Sequence, residues 1–108
     1  MTALSEKHCA SGGQATALID ADIQSNLGAL KGWEQIGKEI RKTFAFKNYH
    51  ETIAFVNASA WVSHHEDHHP DMSVHYNKCV VAYSTHDAGG ITLNDFICAA
   101  KLDALLSH

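Results

Sequence analysis

The sequence predicts an α+β fold, a two-layer sandwich in which three helices cover one face of a four-stranded antiparallel sheet. Strand-like stretches come in two pairs with short connections, and such hairpins build antiparallel sheets. Segments with apolar residues at helical spacing precede, separate and follow the two pairs, which gives the order α-β-β-α-β-β-α. At 108 residues and 45% hydrophobic content, the chain has room for one modest core.

The N-terminal third contains a tail, a helix and a hairpin. Residues 1–15 are small and polar and are predicted to be a flexible tail, which leaves 16–108 as a single domain. From Ala17 the first helix is predicted by apolar residues at helical spacing, Ile19, Ile23, Leu27 and Leu30. Gly37 then divides the stretch GWEQIGKEIRKTFAF into two strands, although Lys42 interrupts the apolar alternation of the second.

The second helix is predicted to begin after Asn48, a favourable N-cap residue, and to end at Pro70, which disfavours helical geometry just before it. One apolar stripe along this helix consists of Tyr49, Ile53, Val56 and Ala60. Other large apolar residues, Phe55, Trp61 and Val62, lie off that stripe. Because so small a monomer has little else to cover a second apolar face, the pattern indicates self-association.

A second hairpin and a last helix complete the chain. SVHY and CVVAYSTH are strand-like and meet at a turn around Asn77–Lys78. In the longer strand Val80, Ala82 and His86 are predicted to point inward, since side chains alternate along a strand. The final helix is predicted to open at Thr92 and to have an inner face of Leu93, Phe96, Ile97, Ala100 and Ala104.

Composition excludes several classes of partner. A net charge of −4 with scattered lysines argues against nucleic-acid or anionic-membrane binding, which need a concentrated basic surface. The N-terminus lacks a signal-peptide pattern, and no apolar run is long enough to span a bilayer. The three cysteines share no short metal-type spacing, and Cys79 and Cys98 are predicted to be small core residues. A cytoplasmic protein is the natural interpretation.

The stretch HHEDHHPDM, residues 64–72, concentrates four histidines and could hold a metal, an acid-base site or only a solvated helix end. His64 with His68, and His65 with His69, have the i,i+4 spacing of metal ligands on a helix. Pro70 should pull His69 out of the helix, however, and the H-E-x-x-H order of helical zinc sites is absent. We therefore assign no metal site and expect no cofactor.

His68 and His69 differ from the other two because a proline fixes the backbone directly after them, and rigid turns aim side chains into clefts. We expect His64 and His65 to be solvated at the helix end, where the dipole favours them. His86, at a strand end, could converge with His68 and His69 on one pocket. Imidazoles both donate and accept protons near neutral pH, so such a pocket would suit acid-base catalysis.

The three histidines, taken together with other residues at fixed spacings, resemble the signature of one family, the pterin-4a-carbinolamine dehydratases. That signature begins with an ionisable residue, which is followed after three positions of any type by H-[HN]-P. An aromatic residue, a His and an Asp come further along the chain. This chain has the matching residues at similar spacings, His64, His68, His69, Pro70, Tyr76, His86 and Asp95. The similarity extends to GW at 32–33, RKTFAFKNY at 41–49, YNKC at 76–79 and STHDAGGITLNDF at 84–96, and so covers about residues 18–106.

The resemblance implies a hydro-lyase that dehydrates 4a-hydroxytetrahydropterin, as in tetrahydrobiopterin recycling for aromatic amino acid hydroxylases such as phenylalanine hydroxylase. It implies a homodimer or homotetramer of the predicted sandwich. His68 and His86 would form the acid-base pair, with His69 binding the pterin and assisting proton transfer. The substrate-binding residues would be Pro70, Asp67, Asp95 and Tyr76, with Asp95 orienting His86 or holding the ring.

Asp95 also has a purely structural interpretation. Thr92-x-x-Asp95 is a capping-box pattern, which stabilises the start of a helix without any role in catalysis. The chain departs from the family at His64, where a carboxylate is frequent, and at Met72, where a bulkier apolar residue is frequent. Two alternative functions stay open: a non-catalytic dimerisation or transcription cofactor, as relatives of this fold are, and a metal-binding protein.

Overall fold

The computed structural model describes residues 3–11 and 13–106 and has the predicted two-layer architecture. The helices are α1 (Asp20–Gly28), α2 (Tyr49–Glu66) and α3 (Leu93–Leu105), and the strands are β1 (Glu34–Ile36), β2 (Glu39–Ala45), β3 (Asp71–Val74) and β4 (Lys78–Tyr83). The sheet has the order β1-β2-β4-β3, and every neighbouring pair is antiparallel. The α+β fold class is thus confirmed. None of the helices in the described part of the chain is both long and apolar enough to cross a bilayer.

The two central strands direct one row of side chains each into the core. On β4 the buried residues are Cys79, Val81 and Tyr83. Their partners on β2 are Phe44 for Cys79, Lys42 for Val81 and Ile40 for Tyr83. The prediction that Val80, Ala82 and His86 point inward is therefore wrong. CVVAY is apolar at every position, so alternation could not decide which face is buried, whereas the pairing with Ile40 and Phe44 does.

Lys42 lies on the buried face of β2 and does not break the strand. Its Nζ donates to Asp103 Oδ1 of α3 at 2.8 Å and to the Lys31 carbonyl at 2.9 Å. The Trp33 indole N–H donates to the same carboxylate, 3.0 Å from Oδ2. A charged residue in this row is tolerated because a carboxylate and a carbonyl satisfy it. The apparent interruption in the sequence is one of the contacts between sheet and helix.

The buried line of α2 is more polar than the sequence indicates. Asn48 caps the helix as predicted, its Oδ1 accepting from the Glu51 N–H at 3.0 Å. The residues that face the core are Thr52, Phe55, Ser59 and Ser63. Hydroxyls can occupy this line because carbonyls of the same helix accept from them, as Val56 does from Ser59 at 2.7 Å. Tyr49, which was predicted to be part of the apolar stripe, is 51% exposed. Trp61, which lies off that stripe, is 68% exposed.

The N-terminal segment, residues 3–11, lies against α3. The Asn94 amide and the Ala10 backbone exchange two hydrogen bonds, at 2.9 and 3.0 Å. Lys101 Nζ donates to the Ser5 carbonyl at 2.9 Å. Between this segment and the sheet, α3 buries the run from Asn94 to Ala100 on all sides. The flexibility predicted for residues 1–15 stays a prediction about motion; the contacts show where the described part of this segment lies.

Candidate active site

A tight turn at the end of α2 positions His68. The helix ends at Glu66, and Asp67 takes a left-handed conformation with φ 49°. The His68 N–H then donates back to the Ser63 carbonyl at 3.2 Å, the bond that closes a Schellman turn. This turn ends the helix before Pro70, so the predicted role of Pro70 as the terminator is wrong. Aspartate is one of the few non-glycine residues that tolerate this conformation.

His68 is bound to a fully buried carboxylate. Its Nε2–H donates to Asp95 Oδ1 at 2.6 Å, although 27 residues separate the two in sequence. The His68 side chain is 13% exposed and that of Asp95 is 0% exposed. Because a carboxylate only accepts, this bond places the proton of a neutral imidazole on Nε2 and leaves Nδ1 as the basic atom.

Asp95 is itself held by the start of α3. Its Oδ2 accepts from the Thr92 backbone N–H at 2.9 Å, which completes the predicted capping box, and from Thr85 Oγ1 at 3.0 Å. The Thr92 hydroxyl lies 2.8 Å from Thr85 Oγ1. Asp95 therefore has both a structural and a site-building contact. Its histidine partner is His68 and not His86, which corrects one of the two roles predicted for it, and the other role, holding the substrate ring, stays a prediction.

Tyr83 packs against the face of the His68 imidazole, whereas Asp95 binds its edge. The rings of His68 and Tyr83 lie nearly parallel, with 13° between their planes and 5.7 Å between centroids. Burial raises the pKa of Tyr83, so its phenol is neutral and presents only an aromatic face and a dipole. Sequence reasoning did not find Tyr83 or Thr85, because both resemble ordinary strand residues. The only local signal was their place next to His86 at the strand end.

Two of the three predicted histidines, His68 and His86, line two neighbouring clefts instead of one pocket, and His69 lines neither. A cleft of about 150 Å³ is lined by residues that include Asp67, His68, Thr85 and Asn94. A second, of about 370 Å³, is lined by residues that include Glu39, Thr85 and His86. Thr85 belongs to both linings, so the two clefts meet at the residue that also holds Asp95.

Comparison with known proteins identifies the family. Residues 16–105 match the family model described as pterin 4 alpha carbinolamine dehydratase. This chain belongs to that family. Proteins with the provisional name pterin-4-alpha-carbinolamine dehydratase are similar to it, one from Chromobacterium violaceum (65% identical, covering 82% of each chain) and one from Nitrosospira multiformis (57% identical, covering 86% of this chain and 82% of that one).

Two solved structures share the dehydratase fold. A transcriptional coactivator/pterin dehydratase from Brucella melitensis superposes with a TM-score of 0.81 at 29% identity, covering 83% of this chain and 98% of that one. A pterin dehydratase-like protein identified as a RuBisCO assembly factor in the alpha-carboxysome gives 0.61 at 28% identity, covering 70% and 90%. The fold of the pterin dehydratase family thus occurs in proteins named for catalysis and in proteins named for assembly.

The remaining residues of the dehydratase signature lie at the surface and line neither cleft. His69 is exposed, Pro70 is half-buried before β3, and the Tyr76 side chain is 66% exposed. His64 and His65 are exposed at the end of α2, as expected for a solvated helix end. Within residues 3–11 and 13–106, no group of three His, Cys, Asp or Glu side chains is arranged to hold a metal ion.

Proposed function

We propose that this protein dehydrates 4a-hydroxytetrahydropterin to the quinonoid dihydropterin by histidine acid-base catalysis. Membership of the pterin dehydratase family supports the substrate class. The observation that carries the proposal is the 2.6 Å contact between His68 Nε2 and the buried Asp95 carboxylate. An imidazole oriented by a carboxylate, with its second nitrogen free, is a recurrent arrangement for moving protons at neutral pH.

The reaction needs a proton acceptor and a proton donor. One group takes the proton from N5 of the pterin while the C4a–O bond breaks, and another protonates the departing hydroxide, which leaves as water. We assign these tasks to His68, through Nδ1, and to His86, in the adjoining cleft. His69 would bind the pterin and assist proton transfer, and Asp95 fixes the tautomer of His68. Asp67, Pro70 and Tyr76 would contact the substrate.

In the cell this step would recycle the pterin cofactor of aromatic amino acid hydroxylases, including phenylalanine hydroxylase. The proposed chemistry uses side chains alone and calls for no metal or cofactor in the enzyme. We place the protein in the cytoplasm, where its substrate would be formed. We also propose a homodimer or homotetramer, because α2 exposes two large aromatic side chains, Trp61 and Tyr49.

A non-catalytic function is the second candidate. The exposed aromatic residues of α2 could bind a transcription factor or an assembling enzyme, and the names of the Brucella protein and the carboxysome protein describe such activities. A purely binding protein would use Asp95 only as the cap of α3, however, and would have no use for its second contact, which orients the His68 imidazole. The proposal therefore ranks catalysis first.

A coupled hydroxylase assay with purified protein separates the two functions. We expect the wild-type protein to accelerate dehydration of the carbinolamine, and His68→Ala and His86→Ala to lose about a hundredfold or more of that acceleration. His50→Ala, which alters another exposed histidine at the start of α2, is the matched control and should keep the wild-type rate. If both site variants run at the wild-type rate, the assignment is wrong.

A further inference from the structure

Two thiols that the proposed reaction does not use lie next to each other. Cys9 Sγ, in the N-terminal segment, is 3.5 Å from Cys98 Sγ of α3. Cys98 is fully buried, whereas Cys9 is half-buried. The third cysteine, Cys79, is buried in the sheet, on β4. Because Cys9 and Cys98 are far apart in sequence but close in space, they are candidates for a disulfide bond.

The surroundings hold Cys9 in place over α3. Its backbone N–H donates to Glu66 Oε1 at 2.7 Å, and its Sγ lies 3.7 Å from the Asn94 carbonyl oxygen. The next residue, Ala10, exchanges two hydrogen bonds with the Asn94 side chain. These contacts bring the thiols together in the reduced protein, so that forming a bond between them needs little rearrangement.

The same part of the chain forms a wall of the candidate active site. Ala10, Gly13 and Ala15 line the cleft that contains His68 and Asp67. These residues precede the part of the chain, 16–105, that matches the family model. The wall is thus a feature of the sequence outside the family core, and any chemistry at Cys9 acts directly beside it.

We propose that Cys9 and Cys98 are an oxidation site, which a low-molecular-weight disulfide converts to an intramolecular disulfide that fixes this wall of the His68 cleft. The Cys9 thiolate attacks one sulfur of the small disulfide, whose S–S bond breaks and releases one thiol. Cys98 then loses its proton and attacks Cys9 Sγ, displacing the second small thiol. The two protein thiols are oxidised by two electrons, and the small disulfide is reduced to two thiols.

The order of attack follows from the environments. The hydrogen bond with Cys9 and burial raise the pKa of the Cys98 thiol, so Cys98 stays protonated, and the half-buried Cys9 is the more accessible of the two thiols. Bond formation requires the sulfurs to approach from 3.5 Å to about 2.05 Å. Cys9 lies outside regular secondary structure, beyond the short helical turn Leu4–Glu6, and can make this movement while α3 stays in place.

Thiol counting and peptide mapping of the full-length protein test the bond. After incubation with oxidised glutathione we expect the free thiols, titrated in denaturant, to fall from three to one, with Cys9 linked to Cys98. Cys79→Ser is the matched control and should still form the link, whereas Cys9→Ser should not. If all three thiols of the wild type stay free, or glutathione stays on Cys9 with no link to Cys98, the proposal is overturned.

Two further measurements test the effect on the wall, and the rate measurement rests on the proposed function. Trypsin cleavage after the exposed Lys7 should slow several-fold in the oxidised protein, whether or not the protein is a dehydratase. The dehydratase rate should fall several-fold on oxidation of the wild type and be unchanged in Cys9→Ser. A linked protein with unaltered cleavage and unaltered rate would refute the fixed wall, whereas a slow rate in both redox states would count against the function alone.

Discussion

His68 owes its position to contacts that come from three different parts of the chain. The left-handed Asp67 turns the backbone, Asp95 accepts from one ring nitrogen, and the Tyr83 ring stacks on the imidazole face. A long-range contact of this kind has no periodic signature, because it depends on how β4 and α3 pack together. The sequence therefore indicated Asp95 as a helix cap and as a family residue, but only packing could show that the histidine it contacts is His68 and not His86.

Replacement of Asp95 separates its two contacts. Asp95→Asn keeps the shape but removes the charge that stabilises a protonated imidazole, so we expect the dehydration rate to fall by roughly a hundredfold. It should also lower the free energy of unfolding by about 1 kcal/mol through the weakened cap. Thr92→Ala is the control, since it disturbs the cap and leaves the carboxylate. Steady-state rates and urea unfolding of both variants give the comparison; equal rate losses would contradict a catalytic contact.

Substitutions of Asp67 distinguish substrate binding from turn geometry. Asp67→Gly keeps the left-handed turn and deletes the carboxylate from the cleft, so KM should rise without loss of stability. Asp67→Ala deletes the carboxylate and also strains the turn, which should cost about 1 kcal/mol in addition. Steady-state kinetics and thermal unfolding measure the two effects. An unchanged KM in the Gly variant would remove Asp67 from the substrate-binding residues.

The helices and strands show which sequence signals are sufficient and which are not. The caps at Asn48 and Thr92 were predictable because each depends on residues only three positions apart. The buried line of α2 was not predictable, because Thr52 and Ser59 look like surface residues, and the carbonyls that accept from their hydroxyls cannot be seen in the sequence. The inward row of β4 was not predictable either, because an all-apolar strand has no polar side to mark its outer face.

The junction of α2 with the N-terminal segment should be sensitive to acid. Burial acts to raise the pKa of Glu66, but the Cys9 N–H, His8 and Lys101 outweigh it and hold that pKa below its usual value of 4.5. A depressed folded-state pKa contributes stability above 4.5 that is lost as pH falls through the lower value. Wild-type protein should therefore lose more stability in acid than Glu66→Gln.

Thermal unfolding midpoints across the acid range measure this difference. Glu6→Gln, an exposed glutamate in the same segment, serves as the control and should follow the wild-type profile. If the midpoint of Glu66→Gln falls with pH as steeply as that of the wild type, Glu66 does not carry the acid sensitivity.

Two large aromatic side chains of α2 are exposed in the molecule as a whole. The sheet and α3 account for one face of this helix, while Trp61 and Tyr49 are exposed at two separate places outside that face. Of the three apolar residues predicted to lie off the stripe, only Trp61 is exposed, because Phe55 is buried and Val62 packs against the core. Exposed aromatic side chains of this size commonly mark a protein interface, and the proposed homodimer or homotetramer would bury them.

A charge at this surface tests self-association. Trp61→Arg should shift the protein toward smaller species in light scattering after size exclusion, because an unpaired cation is costly in an apolar interface. Ile19→Arg changes a side chain that is also 68% exposed but lies at the start of α1, and should leave the assembly intact. Equal molar masses for the wild type and Trp61→Arg would move the interface elsewhere.

Asp95 ties chemistry and architecture to a single side chain. Because the same carboxylate caps α3 and accepts a hydrogen bond from His68, a substitution that changes one of these contacts also disturbs the other. Natural or laboratory selection for altered reactivity is therefore confined to the surrounding positions, and a chain that has abandoned catalysis still has reason to keep an aspartate here. The presence of this residue alone is accordingly poor proof of enzymatic activity in a distant relative, whereas its retention together with the histidine it holds is far better proof.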